Sequence, residues 1–416
     1  MNLRRSAAVL AAAAVLATGA APAAVAAGAA PASSPSPAPE LPAGLYGTGD
    51  PTYDGVFRQS YALLAQRTAG VTPAKAGVDW LLGQQCGNGG FAPYRPHPEQ
   101  PCDKKTQVDS NSTAAAVQAL AALGKDTHKK QIDRALSWLT AVTNKDGGWG
   151  FTPGLPSDAN STGIVVGAIS AAGSTGGNAA DWKNPKVFRT PGEALVKLAM
   201  PCAKDGAFGL ADAKTGKLTA NADATAAGVL GSLGRGQATA PGKPPSGSTE
   251  CGKPKDARQA AVNGAAYLHR QFAEQPYLIS AMPGAKDQPD YGNTADAVVA
   301  LAAAGRTEDA AAPLKYLKRH GKEWAAQAGP AAWAQLVFAA HATGTDPRHF
   351  GSTDLVAGLN ATGPAPESKA SSSDSTTDKK DDGNNSAVWW ISGAAVVVLA
   401  AAGGGFLAAR KRRTGA

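Results

Sequence analysis

The hydrophobic pattern of the chain consists mainly of Ala-rich runs that begin and end in the same way. Each run begins with Asn or Asp near a Thr and ends at a Gly eleven residues after that Thr. The four clearest runs span 111–124, 160–173, 223–236 and 293–305. Asn and Asp are common helix N-caps, and Gly is common just after a helix ends. Because the runs are apolar on nearly every side, they predict helices buried on all faces.

Two weaker copies, at 59–70 and 329–344, bring the number of predicted buried helices to six. A second kind of helix, with one polar face, follows each terminal Gly. These amphipathic helices are predicted at 73–84, 129–142, 190–200, 256–272, 309–320 and 351–360. Six two-helix units that pack neighbour to neighbour form either an open solenoid or a closed ring. The two end units have no polar capping face, which favours the ring.

The loops that precede three of the buried helices carry a Gly-aromatic turn, at 87–91, 145–151 and 204–210. Here the sequence resembles the prenyltransferase/squalene-oxidase repeat of the terpenoid cyclase and protein prenyltransferase superfamily. The resemblance extends over about residues 54–360 and implies an all-α fold, an α6–α6 toroid of six outer/inner helix pairs around a central cavity. We expect this toroid to occupy residues 44–362. The fold hosts unrelated activities, so it does not by itself identify a function.

The two ends of the chain predict export and membrane attachment. Residues 1–27 have a basic start, an apolar run and small residues near the end, as signal peptides do. Residues 387–409 contain no charge and are followed by a basic tail, which predicts a transmembrane helix with a cytoplasmic end at 410–416. A Pro/Ala-rich linker at 28–43 and a disordered stalk at 363–386 would flank the toroid. We therefore expect an extracellular body anchored in the cytoplasmic membrane of a bacterium.

The net charge of +8 is mostly a property of these ends. Six basic residues lie within the first five and the last seven positions, and without them the chain has 34 basic and 32 acidic residues. So small a surplus on the folded part gives no reason to expect a nucleic-acid partner.

Four cysteines in an exported chain predict two disulfides, for which three connectivities exist. We favour Cys86–Cys102 and Cys202–Cys251, because each pair would staple a loop between helices. Zinc binding is the competing interpretation, but the six histidines lie at no spacing that suits metal ligands. We expect no metal and no cofactor.

The catalytic motifs of the resembled families are missing. The only Asp-dense segment is 378–382, in the predicted stalk, so the acid motif of the terpenoid cyclases has no counterpart in the toroid. Aromatic residues make up 6% of the chain, few for a cavity that guides carbocations. The zinc ligands of the protein prenyltransferases have no match, and the Cys-Gly-Glu-Gln thioester motif is not completed after Cys86-Gly87. These absences favour a protein without catalysis.

Polar residues gather at the starts of the buried helices. Since every unit runs in the same order, these helices begin at one end of the ring and their positive dipole ends converge there. The candidate polar residues are Asp109, Asn111, Asp158, Asn160, Asp223 and Asp290. The aromatic residues expected beside them are Phe91, Trp149, Phe208 and Tyr291. Helix capping explains the polar residues on its own, and a ligand-binding rim around the cavity is the functional alternative.

Two functions follow as hypotheses. The first is a surface-tethered protein that binds a small molecule or lipid in its cavity without catalysis; the intrinsic factor and transcobalamin carriers, which resemble this fold, make a corrinoid one candidate. The alternative is an exported enzyme of the same fold, either glycan-active or similar to a cyclase or prenyltransferase. An enzyme should show two carboxylates that converge in the cavity, with one strongly perturbed pKa. Asp109 and Asp158 serving only as caps would count against it.

Overall fold

The structure, a computed structural model, describes residues 41–212, 214–244, 250–280 and 287–368. The described residues form six consecutive helix pairs. These are α1 (Gly55–Thr68) with α2 (Lys75–Gly83), α3 (Ser110–Gly124) with α4 (Lys129–Ala141), α5 (Ala159–Ala171) with α6 (Pro191–Leu198), α7 (Ala222–Ser232) with α8 (Ala257–Gln271), α9 (Tyr291–Ala303) with α10 (Ala311–Ala328), and α11 (Pro330–Ala342) with α12 (Leu355–Asn360). Short 3₁₀ turns occupy Ala179–Asp181, Cys202–Lys204 and Pro347–His349.

The odd-numbered helices form a closed inner ring. Each contacts the next odd-numbered helix, and α11 contacts α1. Each even-numbered helix packs against the inner helix that precedes it and forms part of the outer layer. The inner helices are buried over most of their length, because their Ala, Val and Leu side chains allow close approach on every side. The predicted ring of buried and amphipathic helices is therefore confirmed.

The fold is mostly helical, although the sequence predicts an all-α protein. Two antiparallel hairpins precede α7 and α9. The first pairs β1 (Gly209–Ala211) with β2 (Leu218–Ala220), and the second pairs β3 (Leu278–Ile279) with β4 (Pro289–Asp290). In the first hairpin the carboxylate of Asp212 accepts the backbone N–H of Thr215, and Gly216 takes a positive φ. These turn residues let the chain double back before the helix starts.

The Thr that recurs in four of the inner helices (α3, α5, α7 and α9) joins each helix to the loop before it. The Thr113 hydroxyl accepts the backbone N–H of Phe91 at 2.9 Å and donates to the carbonyl of Asp109 at 2.7 Å. The corresponding bonds from loop N–H to Thr Oγ1 are Trp149–Thr162, Phe208–Thr225 and Leu278–Thr294. Because all four hydroxyls are buried, each satisfies a backbone donor that water does not reach.

We predict that Thr162→Val lowers the free energy of unfolding by about 1–3 kcal/mol, because it leaves the buried N–H of Trp149 without an acceptor. Urea denaturation measures the change. Thr219→Val is the matched control, since Thr219 is exposed in β2 and Val suits a strand. Equal stability of the two variants would contradict this account of the repeat.

The segments that precede α1 and follow α12 cover the contact between the first and last helix pairs of the ring. The buried Tyr46 donates its N–H to Gln59 Oε1 at 2.8 Å and its hydroxyl to Gln66 Oε1 at 2.9 Å. Gln66 also donates to Asn360 Oδ1 in α12 at 2.7 Å. Glu367 donates its N–H to the carbonyl of Thr72 at 3.0 Å. The beginning of the predicted stalk therefore lies against the ring.

Both favoured disulfides, Cys86–Cys102 and Cys202–Cys251, are present, which confirms the predicted pairing. All four cysteines are consumed, so the competing interpretation of a cysteine-bound zinc is wrong. Two disulfides indicate an oxidising, exported location.

The remaining topological predictions concern the ends of the chain. The predicted signal peptide at 1–27, nearly all of the linker at 28–43, most of the stalk at 363–386, the transmembrane helix at 387–409 and the tail at 410–416 lie outside the described residues. Among the helices that the structure does describe, none has the length and apolar character needed to cross a bilayer.

Candidate functional site

The first turns of the inner helices contain partly exposed positions in helices that are otherwise buried. Counted from the repeated Thr, these positions lie two residues before it in all four repeats, and two residues after it in α5, α7 and α9. Residues four apart share one helix face, and this face points into the ring. The position before the Thr holds Asn111, Asn160 and Asp223, and Asp296 occupies the position after the Thr in α9. We infer from this exposure that polar side chains border a central opening of the ring at the end where the inner helices begin.

Asp223 and Asn160 are in contact at this opening. The Asn160 side chain, at the start of α5, donates its Nδ2 to Asp223 Oδ2 at 2.5 Å. Burial raises the pKa of Asp223 most strongly, the Asn160 hydrogen bond lowers it, and the charges of Asp290 and Asp158 raise it further. The contact joins two neighbouring inner helices through a carboxylate and an amide.

Asp296 is the most perturbed carboxylic acid of the site. Gln335 of α11 donates to its Oδ2 at 3.0 Å, and Gln237 donates to its Oδ1 at 3.3 Å. Burial, followed by the charge of Asp223, raises the pKa of Asp296 to about 8. Asp296 is surrounded by protein yet keeps part of its accessible surface, as expected for a group on the wall of an internal opening. At neutral pH this group is largely protonated.

The opening offers hydrogen-bond acceptors and negative charge. Asn111 Oδ1, Asn160 Oδ1 and Gln237 Oε1 are buried without a hydrogen-bond partner. The charges that shift the pKa of Asp223 and Asp296 all come from other aspartates. The charges of Asp296 and Asp223 also act on Tyr61 of α1. Burial together with these charges raises the pKa of its phenol well above 10. We call Asn160, Asp223, Gln237, Asp296 and Gln335 the central site.

Three of the predicted rim carboxylates act as helix N-caps. Asp109 Oδ1 accepts the N–H of Ser112 at 2.6 Å, Asp158 Oδ1 accepts the N–H of Ser161 at 2.7 Å, and Asp290 Oδ1 accepts the N–H of Asn293 at 3.0 Å. Burial raises the pKa of Asp109 to about 6 and also raises that of Asp158. Capping therefore accounts for Asp109 and Asp158, which counts against them as a catalytic pair. The carboxylates that converge are Asp223 and Asp296.

The structure places Phe91, Trp149 and Phe208 in the core and not at the rim where the sequence analysis expects them. Each is at most 1% exposed. The Trp149 indole donates to the carbonyl of Leu139 in α4 at 2.8 Å, which fixes the ring between an inner and an outer helix. The physical reason is the Gly-aromatic turn, whose close-packed backbone turns the ring inward under the helix start. These three residues therefore pack within the helix pairs and do not contribute to the central site.

Tyr291 does lie at the rim, where it is partly exposed in a group of stacked aromatic rings. Its ring is 5.7 Å from those of both Tyr316 and Trp324, at interplanar angles of 22° and 16°. The Tyr316 hydroxyl donates to the Tyr291 hydroxyl at 3.3 Å. Gly292, the next residue, accepts a weak hydrogen bond from Gln335 at 3.5 Å. The aromatic group therefore adjoins the central site.

Sequence reasoning did not identify Asp296, Gln237, Gln335 or Tyr61. A signal for Asp296 was present, because the same repeat position holds Ala115, Ile164 and Ala227 in the other units. A charged residue at an otherwise apolar repeat position marks a site that faces the interior. Gln237 carried no such signal, since it follows the Gly that ends the α7 repeat. Among the described residues, no group of three or more His, Cys, Asp or Glu side chains is arranged to hold a metal ion.

Comparison with known families supports the toroid. Residues 110–177 match the family model of the squalene-hopene cyclase C-terminal domain. The resemblance to the terpenoid cyclase and prenyltransferase toroids is thereby confirmed over these residues. No curated protein matches the sequence significantly.

Several solved structures are similar at low identity. A sugar epimerase from a ruminal bacterium has a TM-score of 0.45 and 15% identity, over 67% of this chain and 80% of the other. A protein from Actinoplanes has a TM-score of 0.45 and 16% identity, over 72% and 80%. The cellobiose 2-epimerase of Bacillus thermoamylovorans has a TM-score of 0.41 and 12% identity, over 67% and 77%.

Proposed function

We propose that the protein is an exported enzyme that performs acid–base chemistry on a neutral carbohydrate in the opening of its toroid. The supporting observation is the convergence of Asp223 and Asp296, from two adjacent inner helices, in a partly open interior. A pair of carboxyl groups with different proton affinities is the general requirement for cleaving a glycosidic bond. The glycan-active alternative thus gains more support than a non-catalytic carrier.

The two carboxyl groups take different roles in this proposal. Asp296, with its pKa near 8, is protonated at neutral pH and gives its proton to the leaving glycosidic oxygen. Asp223 acts in its ionised form and receives the proton of the attacking water, or attacks the anomeric carbon itself. Asn160 donates to Asp223 and thereby favours its charged form.

The chemistry of the opening supports a neutral substrate rich in hydroxyl groups. Hydroxyls supply the donors that the unpartnered oxygens of Asn111, Asn160 and Gln237 lack. An anionic substrate would be repelled by the negative charge of the aspartates. No cation is among the groups that shift the pKa values of Asp223 and Asp296, so nothing there would compensate for this charge. Tyr291 and its stacked neighbours add apolar surface at the rim, which suits the face of a sugar ring.

We also propose that the body works outside the cytoplasmic membrane, held by the C-terminal segment. The two disulfides support export. The charge-free stretch at 387–409 and the basic tail at 410–416 support a membrane anchor that leaves the toroid extracellular.

We predict that the purified, oxidised chain releases new reducing ends from at least one member of a panel of neutral α- and β-linked oligosaccharides. Asp223→Asn should lower kcat by roughly 10²–10⁴-fold, as expected when a catalytic base is lost. Proton NMR of the products measures the release of reducing ends and the loss of kcat. Asp126→Asn is the matched control, because Asp126 is exposed and lies outside the central site. Tight binding of a ligand that is recovered chemically unchanged would instead favour the carrier.

A further inference from the structure

The connection after α7 reaches into the ring. Residues 234–244, which we call the plug, leave α7 at Gly234 and reach the end of α9, where Gly242 donates its N–H to the carbonyl of Ala302 at 2.9 Å. Gly236 passes so close to α3 and α5 that a Cβ there would lie 2.3 Å from Gln118 Oε1 and 3.3 Å from the Cα of Gly167. A side chain at position 236 would therefore require Gln118 or the plug to shift.

The plug brings Gln237 to the central site. The carboxamide of Gln237 donates to Asp296 Oδ1 at 3.3 Å, while its own Oε1 is buried without a partner. A buried amide with half of its hydrogen-bonding capacity unmet lowers the stability of the fold. The side chain interacts with the carboxyl group of Asp296 and with the phenol of Tyr61, so a role in the central site accounts for Gln at this position.

Gln335 is arranged differently. It donates to Asp296 Oδ2 and also to the carbonyl of Gly292 within the same ring wall. Gln335 therefore has a backbone partner besides the carboxyl group, whereas the Gln237 side chain interacts with the carboxyl group of Asp296 and with the phenol of Tyr61. Both oxygens of Asp296 accept an amide N–H, which is the arrangement that stabilises the ionised carboxylate.

We propose that Gln237 is a positioning residue for Asp296: the plug holds its carboxamide against Oδ1 and stabilises the ionised form, so that the proton leaves during turnover and returns afterwards. The inference rests on the proposed function, in which Asp296 gives its proton to the leaving oxygen. Asp296 recovers a proton from the water that hydrolyses the glycosyl–Asp223 intermediate or, where Asp223 has taken the proton of the attacking water, from solvent as Asp223 releases its own. Other groups oppose Gln237 because they favour the protonated form of Asp296. These are the burial of Asp296 and the charges of Asp223 on α7 and of Asp290, the N-cap of α9. The neutral phenol of Tyr61 on α1 also faces Asp296.

The test is the titration of Asp296 in the full chain labelled with ¹³C at the aspartate carboxyl groups, with Asp296→Asn to assign the signal. We expect Gln237→Met, which keeps the side-chain length but cannot donate, to raise the titration midpoint of Asp296 by about 0.5–1 pH unit. The alkaline limit of activity should move upward by the same amount. A merely structural role for Gln237 would lower stability without moving either midpoint.

A second variant tests the plug without altering Gln237. Gly236→Ala places a methyl group against Gln118 and should displace the plug, giving the same upward shift in the Asp296 midpoint. Gly176→Ala is the control, since a Cβ there meets nothing within 4 Å. An unchanged midpoint in both Gln237→Met and Gly236→Ala overturns the inference. If the Asp296 midpoint shifts but the protein turns over no carbohydrate, the interaction between the plug and Asp296 is confirmed and the proposed function is wrong.

Discussion

Replacing Asp296 by Asn should lower kcat by roughly 10²–10⁴-fold, because the amide has no proton to give to the leaving oxygen. The remaining structure should be preserved, since Asn has nearly the same shape and Gln237 and Gln335 can present either end of their amides to it. KM should change little if Asp296 acts mainly in the transition state. Initial rates on the oligosaccharide identified in the screen measure this loss.

The same substitution should make the protein more stable at neutral and alkaline pH. The folded state holds the Asp296 proton up to a pKa of about 8, whereas an unfolded Asp releases it near 3.8. Between these values the folded state binds more protons, so the contribution of Asp296 to stability is complete below pH 3.8 and declines as the pH rises toward 8. Asn does not titrate, so Asp296→Asn should gain roughly 5 kcal/mol over the wild type at pH 8 relative to pH 4.

Urea unfolding at the two pH values measures this difference, with the exposed Asp126→Asn as the control that should show none. A variant that is inactive and also less stable at pH 8 would mean that Asp296 is ionised in the folded protein. The assignment of the acid would then be wrong. The wild-type rate should also be bell-shaped, rising as Asp223 ionises above its raised pKa and falling as Asp296 loses its proton near pH 8.

The fold could be predicted from the sequence because residues typical of helix starts and ends bound the repeated helices. Asp109 and Asp158 cap helices where the pattern predicts starts, and both disulfides pair as expected. The hairpins before α7 and α9 were missed because their strands are two or three residues long and show no alternating pattern. Their pairing depends on local turns such as that at Asp212, and the helical repeat gives no indication of it.

The site was only partly accessible. Asn160, Asp223 and Tyr291 follow from the convergence of helix starts, and the structure places all three around the opening. The aromatic side chains of Trp149 and Phe208 were assigned to the rim because their position along the chain does not reveal which way a tight turn directs a ring. Gln237 depends on the path of the plug through the ring, which is a tertiary property with no local pattern.

Removing the disulfide Cys202–Cys251 with paired Ser substitutions should lower the free energy of unfolding by about 4 kcal/mol. The two cysteines are 49 residues apart, and the loop-entropy cost of cross-linking the unfolded chain grows with that distance. The bridge also holds Gly252 against Asn263 of α8, whose side chain exchanges hydrogen bonds of 3.0 and 2.7 Å with the Gly252 backbone. Since this loop contains α7 and the plug, activity should be lost at a lower urea concentration than in the wild type.

The shorter bridge is the matched control. Cys86 and Cys102 are 16 residues apart, so the paired Ser variant should lose about 3 kcal/mol by the same relation. Its loop contains neither Asp223 nor Gln237, so the Asp296 titration should be the same as in the wild type until global unfolding. Urea denaturation of both variants, with thiol titration to establish the redox state, gives the comparison. A larger loss from the shorter bridge would show that native contacts, and not loop length, govern the stability that the disulfides provide.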